Sequence, residues 1–282
     1  MRHRHSLLAC ALLLAAAGAA SANQVYSIFY DNRFGKIDDT TGKYTQIANL
    51  LVAQSYGIAY YHGTLYVEDS GNDLIQVDPL SGASTVIGSI GLSGVQSVVF
   101  AGGANGLFAI DESSALYSIN AATGKGTMIG STGLTANNGN WDTSLSSDGT
   151  DLYFTAGHGS SADELYKVNT TTGHATDLGS TGVRGIAGSA IVNGNLELYQ
   201  YNWNQCETTY IYSATLGSTN FVHEAVLSVG IVDGGVVIPS GSGVTALNQI
   251  PEPTAFIQMA LGTAVLGALV FCRRRAGHRI HE

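Results

Sequence analysis

The sequence predicts an all-β fold, a β-propeller of about five four-stranded blades, on three observations. A turn-bearing segment recurs at intervals of propeller-blade length. Short strands of alternating apolar and polar residues flank each copy, and no sustained helical periodicity runs between residues 23 and 250. The recurring turns are Asp38-Asp39-Thr40-Thr41-Gly42, Asp78-Pro79-Leu80-Ser81-Gly82, Asn120-Ala121-Ala122-Thr123-Gly124 and Asn169-Thr170-Thr171-Thr172-Gly173, with a degenerate fifth copy ending Thr215-Leu216-Gly217. Their glycines are 40, 42, 49 and 44 residues apart.

Each copy is justified by its local chemistry. Asp or Asn hydrogen-bonds the turn backbone, and Gly takes the positive φ that the turn requires. Upstream of each turn lies a second hairpin, and His62-Gly63, Asp148-Gly149 and Asn193-Gly194 are good turn dipeptides there. Each unit therefore holds four strands in about 45 residues, the size of a propeller blade. The first unit begins with strands over 25–30, 34–38 and 44–50 and lacks a strand ahead of them. After the fifth unit an unpaired strand remains over 231–239. Pairing the two closes the ring and removes its exposed edges. The long fourth spacing and the poor fifth copy leave a six-bladed ring as the alternative.

The Asp/Asn-x-x-Thr-Gly hairpin resembles the blades of secreted quinoprotein and NHL-like propellers across most of the body. The tryptophan that resemblance would place four residues after each Gly is absent: Gln46, Val86, Met128 and Asp177 stand there. The resemblance extends to architecture and not to a quinone, and the expectation is no cofactor.

Composition narrows the function classes. Glycine contributes 36 of 282 residues, charged residues only 12%, and apolar residues 45%, ample for a core. Residues 23–252 carry six Lys/Arg against 20 Asp/Glu, a formal charge of −14. A body this acidic does not suit nucleic acid or an anionic membrane face.

The two ends read as addresses. Residues 1–22 form a signal peptide: Arg2 and Arg4, an apolar run, then small residues at Ala20-Ser21-Ala22 for cleavage before Asn23. The Sec export machinery is the implied partner. The body spans 23–247, and the segment 248–282 ends the chain. There Pro251-Glu252-Pro253 precedes 19 uncharged residues, 254–272, and then Arg273-Arg274-Arg275. Nineteen helical residues rise about 28 Å, enough to cross a membrane, and the arginines stay cytoplasmic. This tripartite tail resembles the PEP-CTERM sorting signal. The resemblance implies an exosortase-type membrane protease-transpeptidase acting near Pro251, Glu252 and Pro253. It also implies a body first anchored in the inner membrane and then placed at the cell surface or outside the cell. Cys10 and Cys272 fall in the end segments, so Cys206 is the one thiol of the body and no disulfide framework forms.

Candidate ligand-binding residues come from the loops between the second and third strands of each blade. These begin at Asp31, Glu68-Asp69, Asp111, His158 and Asn202-Trp203-Asn204. Asp31, Asp69 and Asp111 offer oxygen donors that suit Ca²⁺, although Asp and Asn also close turns in such places. Trp203 between Asn202 and Asn204, and Trp141 in the loop 135–142, suit the face of a sugar; both fall at the same predicted end of the ring. No catalytic motif emerges: His-Glu-x-x-His and Gly-x-Ser-x-Gly are missing, and the four body histidines lack metal-like spacing. The expectation is a surface or matrix protein that binds extracellular polysaccharide or protein without chemistry. A glycoside hydrolase or lyase with convergent carboxylates and a purely structural module remain as alternatives.

Overall fold

The computed structural model describes residues 24–39, 41–92, 99–103, 105–135, 142–157, 161–202 and 208–238. The signal peptide, with Ala20 and Ala22, and the tail, with Pro251, Glu252, Pro253, Arg273, Arg274 and Arg275, lie outside the described residues. So do Trp141, Trp203 and Asn204. Among the described residues no helix is long and apolar enough to cross a membrane.

The chain folds as β1 (Gln24–Phe29), β2 (Arg33–Asp38) and β3 (Tyr44–Asn49), then β4 (Ser55–Tyr61), β5 (Thr64–Asp69), β6 (Asp73–Val77) and β7 (Ser84–Ser89). The third unit is β8 (Val99–Gly103), β9 (Gly106–Ile110), β10 (Ala115–Ile119) and β11 (Gly126–Ser131). The fourth is β12 (Thr143–Ser147), β13 (Leu152–Ala156), β14 (Glu164–Val168) and β15 (Ala175–Ser180). The fifth is β16 (Ile186–Val192), β17 (Asn195–Tyr201), β18 (Thr209–Thr215) and β19 (Val222–Leu227), and β20 (Val232–Val237) follows. These form five four-stranded antiparallel sheets, and the innermost strands β20, β4, β8, β12 and β16 pack side by side around a centre. The protein is a five-bladed β-propeller.

Closure runs as the unpaired strand requires. β20 joins the first blade on β1, with Val25 opposite Val237, Tyr26 opposite Val236 and Phe29 opposite Val232. The first blade is thus built from both ends of the body, and every blade has two neighbours to pack against.

The core lies in the five seams between blades. Between blades one and two, Tyr26, Ile28 and Phe34 meet Leu65, Val67, Ile75 and Val77. The seam joining blade five to blade one buries Phe29, Ile37, Tyr199, Ile211 and Val232. Each fully buried Ile, Leu or Phe contributes about 1.5–3 kcal/mol, so seams, not single sheets, hold the ring.

The repeated turn explains how blades dock. Oδ1 of Asp78 accepts the backbone N–H groups of Leu80 and Ser81 at 2.7 and 3.0 Å, and Asn120 and Asn169 act alike. The closing glycine then lies against the outer strand of the preceding blade. A Cβ at Gly124 would sit 2.3 Å from the carbonyl oxygen of Gly88, and one at Gly82 would sit 2.3 Å from the Ala48 Cβ. Small residues face each other because the backbones nearly touch.

Two outcomes follow. A chain ending at residue 230, without β20, is expected to lose cooperative unfolding in a urea titration followed by circular dichroism, whereas one ending at residue 240 keeps it. Gly63→Ala, at φ +86 with open space around it, should cost about 1 kcal/mol of left-handed strain. Gly124→Ala, at φ +79, should cost clearly more in the same titration, because the preceding blade must also move.

Candidate functional site

The ring has two ends. The loop end carries the connections between second and third strands and those leading into the next blade. The hairpin end carries the tight first-to-second-strand turns and the Thr-Gly turns.

At the loop end, the sequence-predicted carboxylates tie down loop backbone and neighbouring side chains. Asp69 is buried and accepts N–H groups from Ala53, Gly71 and Asp73 at 3.2, 2.9 and 3.1 Å. Asp111 is buried and accepts the N–H groups of Ser113 and Ala115 and the hydroxyls of Ser113 and Tyr117. Asp31 pairs with Arg33 at 2.7 Å, and that guanidinium also lies over the Phe29 ring. Asn202 donates its backbone N–H to Thr208 and its side-chain amide to the Tyr210 hydroxyl. Among the described residues no group of three His, Cys, Asp or Glu side chains is arranged to hold a metal ion.

Behind these turns lies a cluster that the sequence did not reveal. Inner strands β20, β4 and β16 each carry a bulge against their neighbour, where the register skips Asp233, Tyr56 and Ala187. Bulges re-aim side chains. Glu68 is fully buried, and neither of its carboxylate oxygens has a hydrogen-bond partner; one oxygen of Asp233 is in the same condition. Burial, and then the charge of Asp69, pushes the Glu68 carboxyl well above its usual range, while burial and then Asp31 do so for Asp233. Tyr56 is pushed up to about 12 by burial and then by Tyr30, Glu68 and Asp233. Asp69 thus acts on Glu68 and Asp31 on Asp233, while Tyr56 feels both buried acids; of these three only Glu68 stood in a predicted loop. A legible signal exists in retrospect: Tyr56-Gly57, Ala187-Gly188 and Asp233-Gly234 set a glycine after each bulged residue.

Among the described residues, two cavities open at the hairpin end. A cavity of about 450 Å³ is lined by all five inner strands, among them Tyr60, Tyr61, Gly102, Ser146 and Val236, with His62 and Asn193 at the rim turns. The Tyr61 and His62 rings stack at 4.0 Å. Beside it, in the seam between blades five and one, a second cavity of about 340 Å³ is lined by Asp39, Val192, Asn193, Asn195, Glu197, Ser213 and Glu224. Asn193 borders both. Glu197 is buried and accepts a hydrogen bond from the Tyr199 hydroxyl at 3.1 Å. Burial raises its pKa to about 8; the Tyr199 hydroxyl opposes the rise, and Asp39 and Glu224 add to it.

No family model matches this chain, and no curated protein matches it. Among solved structures, a chain of a nidogen–laminin complex is similar at 8% identity, covering 76% of this chain and 97% of that one, with a TM-score of 0.46. TolB from Acinetobacter baumannii is similar at 13% identity over 77% of this chain, with a TM-score of 0.46. This chain spans about half of TolB's length, 54%. A protein of unknown function from Bacteroides thetaiotaomicron is similar at 16% identity over 72% of this chain and 58% of that one, with a TM-score of 0.48.

The buried acids set a pH dependence. Asp163 is a further case: burial lifts it to about 7, against the N–H of Ile186 that it accepts at 2.8 Å. Each of Glu68, Asp163, Glu197 and Asp233 holds a proton in the folded state that the unfolded chain releases at lower pH. Stability therefore falls as pH rises from about 4 to about 8. The melting temperature should be higher at pH 5 than at pH 8.5 by about 5 °C or more. Glu197→Gln should flatten the part of that slope that ends near pH 8.

Proposed function

We propose that this protein is an exported β-propeller, sorted through its C-terminal tail, that binds carbohydrate at the hairpin end of the ring and performs no chemistry on it. The Sec machinery takes the chain by residues 1–22. The hydrophobic segment 254–272 then holds it in the inner membrane, and an exosortase-type enzyme acts near Pro251-Glu252-Pro253. The observation that carries this reading is the order of parts in one chain: a signal peptide, an acidic repeat body, Pro-Glu-Pro, an uncharged span and an arginine cluster.

The body supports the binding half. The central cavity falls in the size range of small-ligand sites and sets Tyr60 and Tyr61 beside hydroxyl and amide groups. Tyrosine rings cover the C–H faces of a sugar, while Ser146, Ser147 and Asn193 meet its hydroxyls. The described lining includes a single carboxylate, Asp148, whereas glycoside hydrolysis ordinarily uses two.

The sorting half is tested by the intact mass of the protein from its producer, measured separately in membrane and extracellular fractions. A released species running from Asn23 to near Pro251–Pro253 is expected. A membrane form retaining Arg273–Glu282, with nothing released, would overturn it. The binding half is tested with the producer's own polysaccharide. Tyr60→Ala and Tyr61→Ala should each weaken binding about tenfold, a loss of about 1.4 kcal/mol. Loss only in Trp141→Ala and Trp203→Ala would move the site to the loop end.

A further inference from the structure

Burial along the five inner strands shows where the central cavity ends. Ile58, Ala101, Leu145, Ser189 and Gly234, one on each inner strand, form a buried belt at mid-strand. Tyr60, Gly103, Ser147, Ile191 and Val236, each two residues nearer the hairpin end, are half-buried. His62, Asp148 and Asn193 at the rim are exposed. The inner backbones also close in beyond the belt. A Cβ at Gly188 would sit 2.4 Å from the carbonyl oxygen of Val232, and one at Gly57 would sit 3.0 Å from the Phe100 Cβ. The cavity of about 450 Å³ is therefore a blind cup, which a chain enters by its end and not by its middle.

The cup is polarised from floor to rim. Ile58, Ala101 and Leu145 line it and yet are only 4%, 3% and 6% exposed, which places them at its closed end. Ser146 beside them has its hydroxyl bonded to the Ser189 hydroxyl at 2.6 Å. Tyr60, Ile191 and Val236 form the wall. Polar groups gather at the rim: the Asp148 carboxylate, the Asn193 amide and the His62 imidazole, the last stacked on the Tyr61 ring. The described lining includes no Lys or Arg.

The neighbouring seam cavity is built differently. The strand ladders set Glu197 where the other blades have Tyr26, Tyr66, Phe108 and Tyr153. Bulges set Glu224 where they have Ile47, Ile87, Ile129 and Leu178, and those apolar residues pack into their own seams. Val192 apart, the described lining of the seam cavity is polar. Of the two cavities, the central cup alone joins an apolar floor to a polar rim.

We propose that the cup takes the terminal residue of a neutral glycan by a methyl edge, so that the polysaccharide bound ends in a 6-deoxyhexose. This inference rests on the carbohydrate reading above and narrows it. An ordinary hexopyranose carries hydroxyls around its edge, and end-on entry would press one against Ile58, Ala101 and Leu145. A hydroxyl buried without a partner is costly, whereas a methyl group buried in the same place is favourable. The methyl at C6 therefore fits the floor. The remaining hydroxyls then lie level with Ser147, Asn193 and Asp148, and the C–H face of the ring lies against Tyr60. A uronic acid in this position would set its carboxylate on the apolar floor with no cation of the described lining beside it.

The test titrates detergent-solubilised full-length protein with two sugar pairs, L-rhamnose with L-mannose and L-fucose with L-galactose, each pair differing only in the hydroxyl at C6. In at least one pair the 6-deoxy sugar should bind about tenfold more tightly by calorimetry, a difference of about 1.4 kcal/mol. In saturation-transfer NMR its C6 methyl protons should receive the strongest signal. Ala101→Ser, which sets a hydroxyl at the floor, should remove most of that preference, and Leu145→Thr should do so from blade four; the melting temperature of each shows that it is folded. Tyr60→Ala should weaken both members of the pair alike. A trisaccharide ending in the preferred sugar should bind about tenfold more tightly than one carrying it inside the chain, and equal binding overturns entry by the end. Equal binding within both pairs overturns the methyl floor and leaves carbohydrate binding standing. Binding of no member of either pair, with the producer's own polysaccharide still bound, overturns the 6-deoxy end alone. Loss of polysaccharide binding as well overturns both readings.

Discussion

The pairing of β20 with β1 is the contact on which every other part of this molecule depends. A four-stranded sheet has two apolar faces and cannot bury either alone. In a ring each sheet buries both faces against its neighbours, but only if the ring has no gap. The ladder from Val25 opposite Val237 to Phe29 opposite Val232 fills that gap with a strand drawn from the far end of the body. Loss of it would expose the faces of blades five and one together, including Phe29, Tyr199 and Ile211. The seams are local, yet their stability is shared, as in other repeat architectures.

Seam geometry in turn dictates the chemistry of the repeat. Neighbouring blades approach so closely at the outer strands that Thr-Gly turns must meet small residues: Gly82 meets Ala48, Gly124 meets Gly88, Gly173 meets Gly130, and Gly42 meets Ala225. The recurring Asp or Asn holds each turn in the shape that permits this approach. Turn and outer strand belong to different blades, so the repeat motif is half of an interface and not only a hairpin signature.

That is why so much of the architecture was legible and so little of the site. Hairpin chemistry is local, and Asp78-Pro79-Leu80-Ser81-Gly82 announces its turn without reference to anything distant. The missing strand before residue 24 and the surplus strand near 231–239 announced closure by simple counting. Asp31, Asp69 and Asp111 were visible for the same local reason: Asp111 ties down its own loop, and Asp69 does so too while also accepting the N–H of Ala53 in the connection into β4. Glu197, Glu224 and Asp39 were not visible as a group, because Asp39 lies in the first blade and the glutamates in the fifth. The fifth turn copy also lacks its Asp, and Glu224 stands 7 residues after Gly217 where Ile47 stands 5 after Gly42. An alignment on turns alone therefore slides past the exchange of Tyr for Glu197 and of Ile for Glu224.

Departures from a repeat differ in what they obtain for their cost. Glu68 also breaks the pattern, standing where other blades place Ile28, Ile110, Thr155 and Tyr199. It is fully buried, both its oxygens lack partners, and it borders neither of the two cavities. Its cost is met by holding a proton, which ties the ring's stability to acidic and neutral pH. Glu197, buried like Glu68, and the exposed Glu224 stand where other blades set apolar plugs, and a cavity of about 340 Å³ opens beside them. A buried acid alone alters stability. A buried acid that also borders a cavity, at the seam where β20 closes the ring, alters the shape of the protein as well as its pH dependence.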